Sequence, residues 1–212
     1  MAHLPVINPA TGKQIGLIPE TAVDEVPHFY EKARTAFEHW SGLSIEQRLS
    51  YLKKFQSVIL EKIDETVDTI AKDTGKVPTD ALVSDVMPVL DAIDHIVKHG
   101  PNVLSPKKVK TPLLLFGKKS YVEYMPRGVV LVISPWNYPF QLSLVPALSA
   151  LAAGNAVIIK PSEVTPLVGQ WIEELFQKAH FPEGTIQVGH GGKETGAAFT
   201  EGDPDYIFLR AL

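Results

Sequence analysis

The run Gly128-Val129-Val130-Leu131-Val132-Ile133 decides the fold. It is short, wholly apolar and rich in β-branched residues, with no alternation of polar and apolar positions. That is the pattern of a strand buried on both faces of a parallel sheet. The chain downstream repeats the theme. Residues 141–153 form a small-residue helix closed by Gly154, and 156–160 a second buried strand. Thr165-Pro166 opens a further helix, with threonine at the cap and proline at the first helical position. That helix reaches about Ala179. Residues 185–188 and 206–208 read as the third and fourth strands. Strands alternating with helices predict an α/β fold, a parallel sheet joined by right-handed crossovers. These Rossmann-like βα units cover about 128–209.

Upstream the period changes to that of helices. Val26, Phe29, Ala33, Ala36, Phe37 and Trp40 mark one face of a helix over 23–40, which Ser41-Gly42 breaks. Ser44 with Gln47 three residues later is a capping-box pair. It opens a long amphipathic helix expected to end near Gly75. A third helix runs over 78–99 and stops at Gly100-Pro101, so the helical layer covers about 23–100. Near the start, Asn8-Pro9-Ala10-Thr11-Gly12 separates two short apolar runs, as in a hairpin or bent edge strand. Strand-like runs at 113–116 and 121–125 flank Gly117-Lys118-Lys119-Ser120 and predict a protruding hairpin over about 111–126.

Composition narrows the function. The chain has 212 residues, 45% hydrophobic and 21% charged, with a net charge of −4. That is the balance of a globular protein. Its scattered lysines suggest neither nucleic acid nor a membrane surface; Lys107, Lys108, Lys110, Lys118 and Lys119 read as solvated strand ends. Residues 142–159 approach membrane-spanning length, but Pro146, Gly154 and Asn155 interrupt them. The start lacks a basic segment followed by an apolar one, so a cytoplasmic protein is expected. There are no cysteines, which removes thiol catalysis and cysteine-ligated metal from these residues.

Ligands of open parallel sheets sit beyond the carboxyl ends of the strands. After the first strand comes Ser134-Pro135-Trp136-Asn137-Tyr138-Pro139. After the second comes Lys160-Pro161-Ser162-Glu163, and after the third Gly189-His190-Gly191-Gly192-Lys193-Glu194. A carboxylate at Glu163 can accept bonds from ribose hydroxyls, Lys160 can hold a hydroxyl or a 2′-phosphate, and the glycines allow close approach to a ligand. The generic G-x-G-x-x-G fingerprint is broken by Glu194, and Gly192-Lys193 lacks the Ser or Thr of a phosphate loop. On spacing alone an ordinary tight loop is the leading reading. Asn137 alone reads as a turn residue, Trp136 as core, and Lys160 with Glu163 as a surface ion pair worth ~0–1 kcal/mol. His95 and His99 lie four apart on a helix near Asp91 and Asp94, without the glutamate of H-E-x-x-H. His190 has no serine in a G-x-S-x-G setting.

Three segments together change that balance. The run Ile133-Ser134-Pro135-Trp136-Asn137-Tyr138-Pro139-Phe140 resembles the stretch around the catalytic asparagine of NAD(P)-dependent aldehyde dehydrogenases. Gly154 to Pro166 resembles that family's cofactor-ribose segment, and Phe181-Pro182-Glu183-Gly184 its turn into the third strand. Order and separations agree, and the likeness runs to about Phe208. The resemblance implies the amino-terminal portion of such an enzyme: a partial NAD(P)-binding domain over 1–212, with the catalytic domain absent. It implies NAD or NADP as cofactor and oxidation of an aldehyde to an acid. Asn137 would donate its amide to the oxyanion of a thiohemiacetal, an interaction worth ~2.7–4 kcal/mol where such donors are removed. Ile133, Ser134, Pro135 and Trp136 would line the cofactor cleft. Lys160, Ser162 and Glu163 would bind the cofactor, Lys160 and Glu163 at its adenosine ribose, with Gly192 near the adenine.

The likeness stops within the fourth strand. The Phe-Thr-Gly-Ser turn that receives the pyrophosphate in that family does not follow Phe208, nor do its glutamate base and cysteine nucleophile. We read 209–212 as a frameshifted or prematurely terminated tail; downstream DNA with no such turn encoded in any frame would count against this. The expectation is a chain inactive on its own, acting on an aldehyde only if the missing half is supplied by a second polypeptide. The alternative is a non-catalytic nucleotide-binding or subunit-pairing module, a homo-oligomer through the hairpin. The edge of an unfinished sheet is also an aggregation hazard.

Overall fold

The computed structural model describes residues 2–210. β1 (His3–Asn8) and β2 (Lys13–Pro19) form an antiparallel hairpin with an irregularity between Val6 and Ile7. Asn8 makes the turn, its side-chain oxygen accepting from the amides of Ala10 and Thr11. A 3-10 turn (Val23–Glu25) then leads into α1 (Val26–Ser41).

α2 (Ile45–Glu61) begins with the expected box: the Ser44 side chain accepts from the Gln47 amide while Gln47 reaches back to the Ser44 amide. The predicted long helix is in fact two. Lys62 leaves helical geometry at φ −105°, ψ 24°, and α3 (Ile63–Thr74) follows. The apolar period reads straight through the break because Ile59 and Ile70 both enter one core. Gly75, at φ 75°, ends α3 in the left-handed region where glycine is favoured.

The third predicted helix also differs. α4 (Pro78–Ala81) passes through a π turn (Leu82–Val86) into α5 (Met87–Leu104). Gly100 and Pro101 do not stop it. Pro101 withholds only the bond to the Val97 carbonyl, and the helix ends within a turn of it. The helical layer thus extends past the expected boundary at 100.

The protruding hairpin is real but shifted. β3 (Lys107–Val109) pairs antiparallel with β4 (Ser120–Val122). The expected strand at 113–116 is a 3-10 turn (Leu113–Leu115) at the tip. Pro112 explains the difference: it has no N–H to give a ladder and its ring favours a turn.

The main sheet is parallel throughout. β5 (Val129–Ile133), β6 (Ala156–Lys160), β7 (Ile186–Val188) and β8 (Tyr206–Leu209) stand in the order β7-β6-β5-β8. Between them run α6 (Pro139–Ala152), α7 (Pro166–Lys178) and α8 (Lys193–Glu201). The expected start of the third strand at Thr185 moves by one residue. Leu209 continues the ladder opposite Ile133, and the Arg210 amide donates to the Ile133 carbonyl at 3.2 Å. Of the tail read at 209–212, Ala211 and Leu212 lie outside the described residues.

Successive residues of the two central strands point into two cores. Val130, Val132, Val157 and Ile159 face the layer containing α2, α3, α5, α6 and α7. Val129, Leu131, Ala156 and Ile158 face α1 and Phe199 of α8. A fully buried side chain of this size contributes about 1.5–3 kcal/mol. Both faces being apolar is why these strands read as continuous hydrophobic runs. The strand order reverses between β5 and β8, which puts the crevice for a ligand at their carboxyl ends.

Candidate functional site

The loop leaving β5 is fastened on both sides. The Ser134 amide donates to the Lys160 carbonyl at 3.2 Å. The Ser143 hydroxyl donates to the Pro139 carbonyl at 2.6 Å and lies 2.6 Å from the Ser134 hydroxyl, which is therefore turned inward, onto α6. On the far side, buried Asp85 accepts from the Gln141 amide at 3.3 Å and from the Lys76 ammonium at 2.5 Å. Lys76 also sits 4.1 Å from the centroid of the Tyr138 ring.

Asn137 lies between these anchors. Its side-chain oxygen is buried without a hydrogen-bond partner among the described residues. Trp136 is 49% exposed, so it is not core. Pro135 is half-buried, and Ile133 packs partly against the α1 side of the sheet.

At the end of β6 the Lys160 ammonium donates to Glu163 at 3.0 Å, with the lysine side chain 7% exposed and the glutamate 46%. This is not the surface pair that spacing alone allowed. Burial opposes ionisation of Glu163, but its own backbone amide and Lys160 outweigh it and hold the carboxyl below its usual value. Ser162 accepts from the Val164 amide at 3.2 Å and shapes the turn between them.

The glycines after β7 let the loop run close to α8. A Cβ on Gly189 would come within 2.3 Å of the Phe199 ring, and one on Gly191 within 2.3 Å of Thr195. The Gly192 amide is already engaged by Glu20 at 3.0 Å.

That contact is one of three alike. Asp85 takes the Gln141 amide at the start of α6, Asp73 the Val168 amide at the start of α7 (2.8 Å), and Glu20 the Gly192 amide at the start of α8. None of these helices has a capping bond from its own N-cap side chain, and the Thr165 hydroxyl, expected to cap α7, is buried without a partner. A helix N-terminus attracts anions through free amides and its dipole. Here protein carboxylates fill that role at all three. The residues present suit a ribose, at Lys160 and Glu163, and an oxyanion, at Asn137.

A cavity of about 600 Å³ gathers part of the set: Trp136, Asn137 and Glu163, with Asp73, Lys76 and Tyr138 among its walls. Ile133, Ser134, Lys160 and Gly192 lie outside that lining. Sequence reasoning missed Asp73, Lys76, Asp85 and Glu20, because each acts on a helix or loop distant in the chain and leaves no local spacing to read. Burial drives the Asp73 carboxyl up to about 7, against the amides of Val168 and Leu167.

The other histidines find ordinary settings. His95 and His99 lie ring to ring on α5 at 4.6 Å, and no group of three or more potential metal ligands forms among the described residues. His190 lies 3.2 Å from Glu173.

The family model described as the aldehyde dehydrogenase family matches residues 2–208. A 4,4'-diapolycopene aldehyde oxidase of Methylomonas sp is 38% identical over 210 residues, covering 99% of this chain and 40% of that protein. A malonate-semialdehyde dehydrogenase of Bacillus cereus is 34% identical over 189 residues, covering 89% and 38%. Among solved structures, a Mycobacterium tuberculosis aldehyde dehydrogenase complexed with NAD+ superposes with a TM-score of 0.87 at 29% identity, over 96% of this chain and 42% of that one. The chain therefore spans about 40% of the length of the relatives it matches.

Proposed function

The chain belongs to the aldehyde dehydrogenase family, and on that footing we propose that residues 1–212 are the cofactor-side portion of an enzyme that oxidises an aldehyde to a carboxylic acid with NAD+ or NADP+. The observation that carries this reading is the state of Asn137. Its loop is fixed at both ends, yet its buried side-chain oxygen has no hydrogen-bond partner among the described residues, so the side-chain amide is not committed to a bond recorded there.

In this reading the Asn137 nitrogen donates to the oxyanion that forms when a thiolate adds to the aldehyde. Lys160 and Glu163 hold the hydroxyls of the adenosine ribose, with Ser162 keeping their turn in shape. Ile133, Ser134, Pro135 and Trp136 border the cleft, and Gly192 lies toward the adenine. A dinucleotide bound there supplies a hydride acceptor. Because Lys160 is already paired with Glu163, a free ribose hydroxyl suits the site better than a 2′-phosphate, whose charge would meet the carboxylate.

Residues 1–212 contain no cysteine, so the thiolate must come from elsewhere, and we expect this polypeptide alone to form no NADH from aldehydes. A cytoplasmic location goes with this reading. A second reading, a pairing module, is favoured by the free strand edges of the β3–β4 ribbon, which suit a second copy of the chain. The test is aldehyde-dependent NADH formation by the chain alone and after mixing with a polypeptide that carries the thiol half. Activity only in the mixture, lost in Asn137→Ala, supports the proposal. Activity of the mixture that is indifferent to Asn137→Ala overturns the role of Asn137.

A further inference from the structure

Asn137 is held on its carboxyl side from the helical layer. Three of the residues that follow it are gripped from there. The Tyr138 ring faces the Lys76 ammonium, 4.1 Å from its centroid. The amides of Phe140 and Gln141 turn to the carboxylate of Asp85, Gln141 at 3.3 Å. Pro139, between them, has no N–H to give. Asp85 and Lys76 are themselves joined at 2.5 Å, with side chains 0% and 15% exposed. Both members stand on irregular backbone. Gly75 ends α3 in the left-handed region, and Lys76 follows with its amide on the Thr74 hydroxyl at 3.3 Å. Asp85 lies in the π turn Leu82–Val86, where the Met87 N–H reaches back to the Leu82 carbonyl. Such turns recur at functional sites.

We propose that Lys76 is a positioning residue for Asn137. Through Asp85 and Tyr138 it sets the backbone that aims the asparagine side chain, and the inference rests on the reading of Asn137 as the oxyanion donor. Its action is indirect, through those two residues. Energetics favour a role of this kind over a purely stabilising one. An ion pair buried this deeply adds little to stability beyond what a well-packed apolar pair of similar volume would give. It supplies two things that an apolar pair cannot. One is an acceptor for two loop amides, which would otherwise lose their partner. The other is a positive charge over the face of a ring. Both act on the residues next to Asn137, and both come from one lysine at the end of α3.

The test is a proton–nitrogen correlation spectrum of the isotopically labelled 212-residue chain, with the side-chain amide signals of Asn137 assigned by their loss in Asn137→Ala. Two variants are read. Lys76→Met with Asp85→Asn leaves no buried charge unpaired, and Tyr138→Leu leaves the ion pair whole. Both should keep a cooperative melt, while the Asn137 amide signals broaden or move toward those of free asparagine. Lys76→Arg, which keeps a cation over the ring and a donor to Asp85, should stay near the parent position. In the mixture with the thiol half, Lys76→Met with Asp85→Asn should lower kcat roughly tenfold to a hundredfold with KM little changed. Asn137 signals that stay at the parent position in both variants overturn the proposal. So does an unchanged kcat in a mixture where Asn137→Ala lowers it. Loss of the cooperative melt in both variants overturns it too, since the pair would then hold the fold and not the loop. If Asn137→Ala leaves the rate of the mixture unchanged, the oxyanion reading falls alone, and displaced signals still support the positioning of Asn137 by Lys76.

Discussion

Glu20, on the turn that leaves β2, accepts the backbone N–H of Gly192 at 3.0 Å, closing the start of α8 from 172 positions away. Asp73 and Asp85 do the same for α7 and α6. Each βα unit of the sheet thus begins on a carboxylate lent by the amino-terminal part of the chain. The arrangement ties the hairpin and the helical layer to the sheet. It also sets a carboxylate against one backbone N–H at the start of each of the three helices.

Glu20→Ala should destabilise the chain by about 1 kcal/mol, the usual loss for a helix cap, and Glu20→Gln by less. Urea midpoints at constant slope check this. An unchanged midpoint in Glu20→Ala would mean that water replaces the carboxylate without loss.

Lys76 and Asp85 form a buried pair in which burial pushes the aspartate's carboxyl up and Lys76 opposes the rise. Lys76→Met should cost about 3–5 kcal/mol by leaving that carboxylate alone. Adding Asp85→Asn should recover most of the loss, because the amide oxygen still receives the Gln141 N–H. Additive losses in the double variant would contradict the pairing.

Asp73 sets a pH dependence. Its carboxyl rises to about 7 in the folded chain against 3.8 for the ordinary group. The folded state then holds the proton more tightly than the unfolded state. The resulting stability is complete below about pH 4, falls as pH rises, and is gone above about pH 7, a range on the order of 4 kcal/mol. Asp73→Asn should flatten this fall, as melting temperatures from pH 5 to 8 would report. A wild-type melt that rises over that range, with no change in Asp73→Asn, would contradict the assignment.

Asn137→Ala should leave folding within about 0.5 kcal/mol of the parent, because no bond is lost and one unpartnered buried oxygen is removed. In the mixed, active system it should lower kcat by about 10²–10³. A loss of stability comparable to Lys76→Met would make Asn137 a structural residue instead.

Much of the fold was legible because its signals are local. β5 and β6 declare themselves by unbroken apolar runs, and Ser44 with Gln47 marks the start of α2. What escaped was non-local or positional. The break at Lys62 is invisible because Ile59 and Ile70 share one core across it. Pro112 turned 113–116 from a strand into an exposed tip. In the site, Asn137, Lys160 and Glu163 could be named from the motif, but the burial of Lys160 could not. Nor could the engagement of Gly192 by Glu20, since the two are joined only through the folded chain.

A dinucleotide held at the ends of β5 and β6 would bind the folded chain and not the unfolded one, so the decisive measurement is a thermal melt of the 212-residue chain with NAD+ titrated in. A cooperative transition should rise with NAD+, by the equivalent of ~2.7 kcal/mol at a hundred times the dissociation constant, with the rise reduced in Glu163→Gln. A cooperative transition indifferent to NAD+ and NADP+ would contradict it.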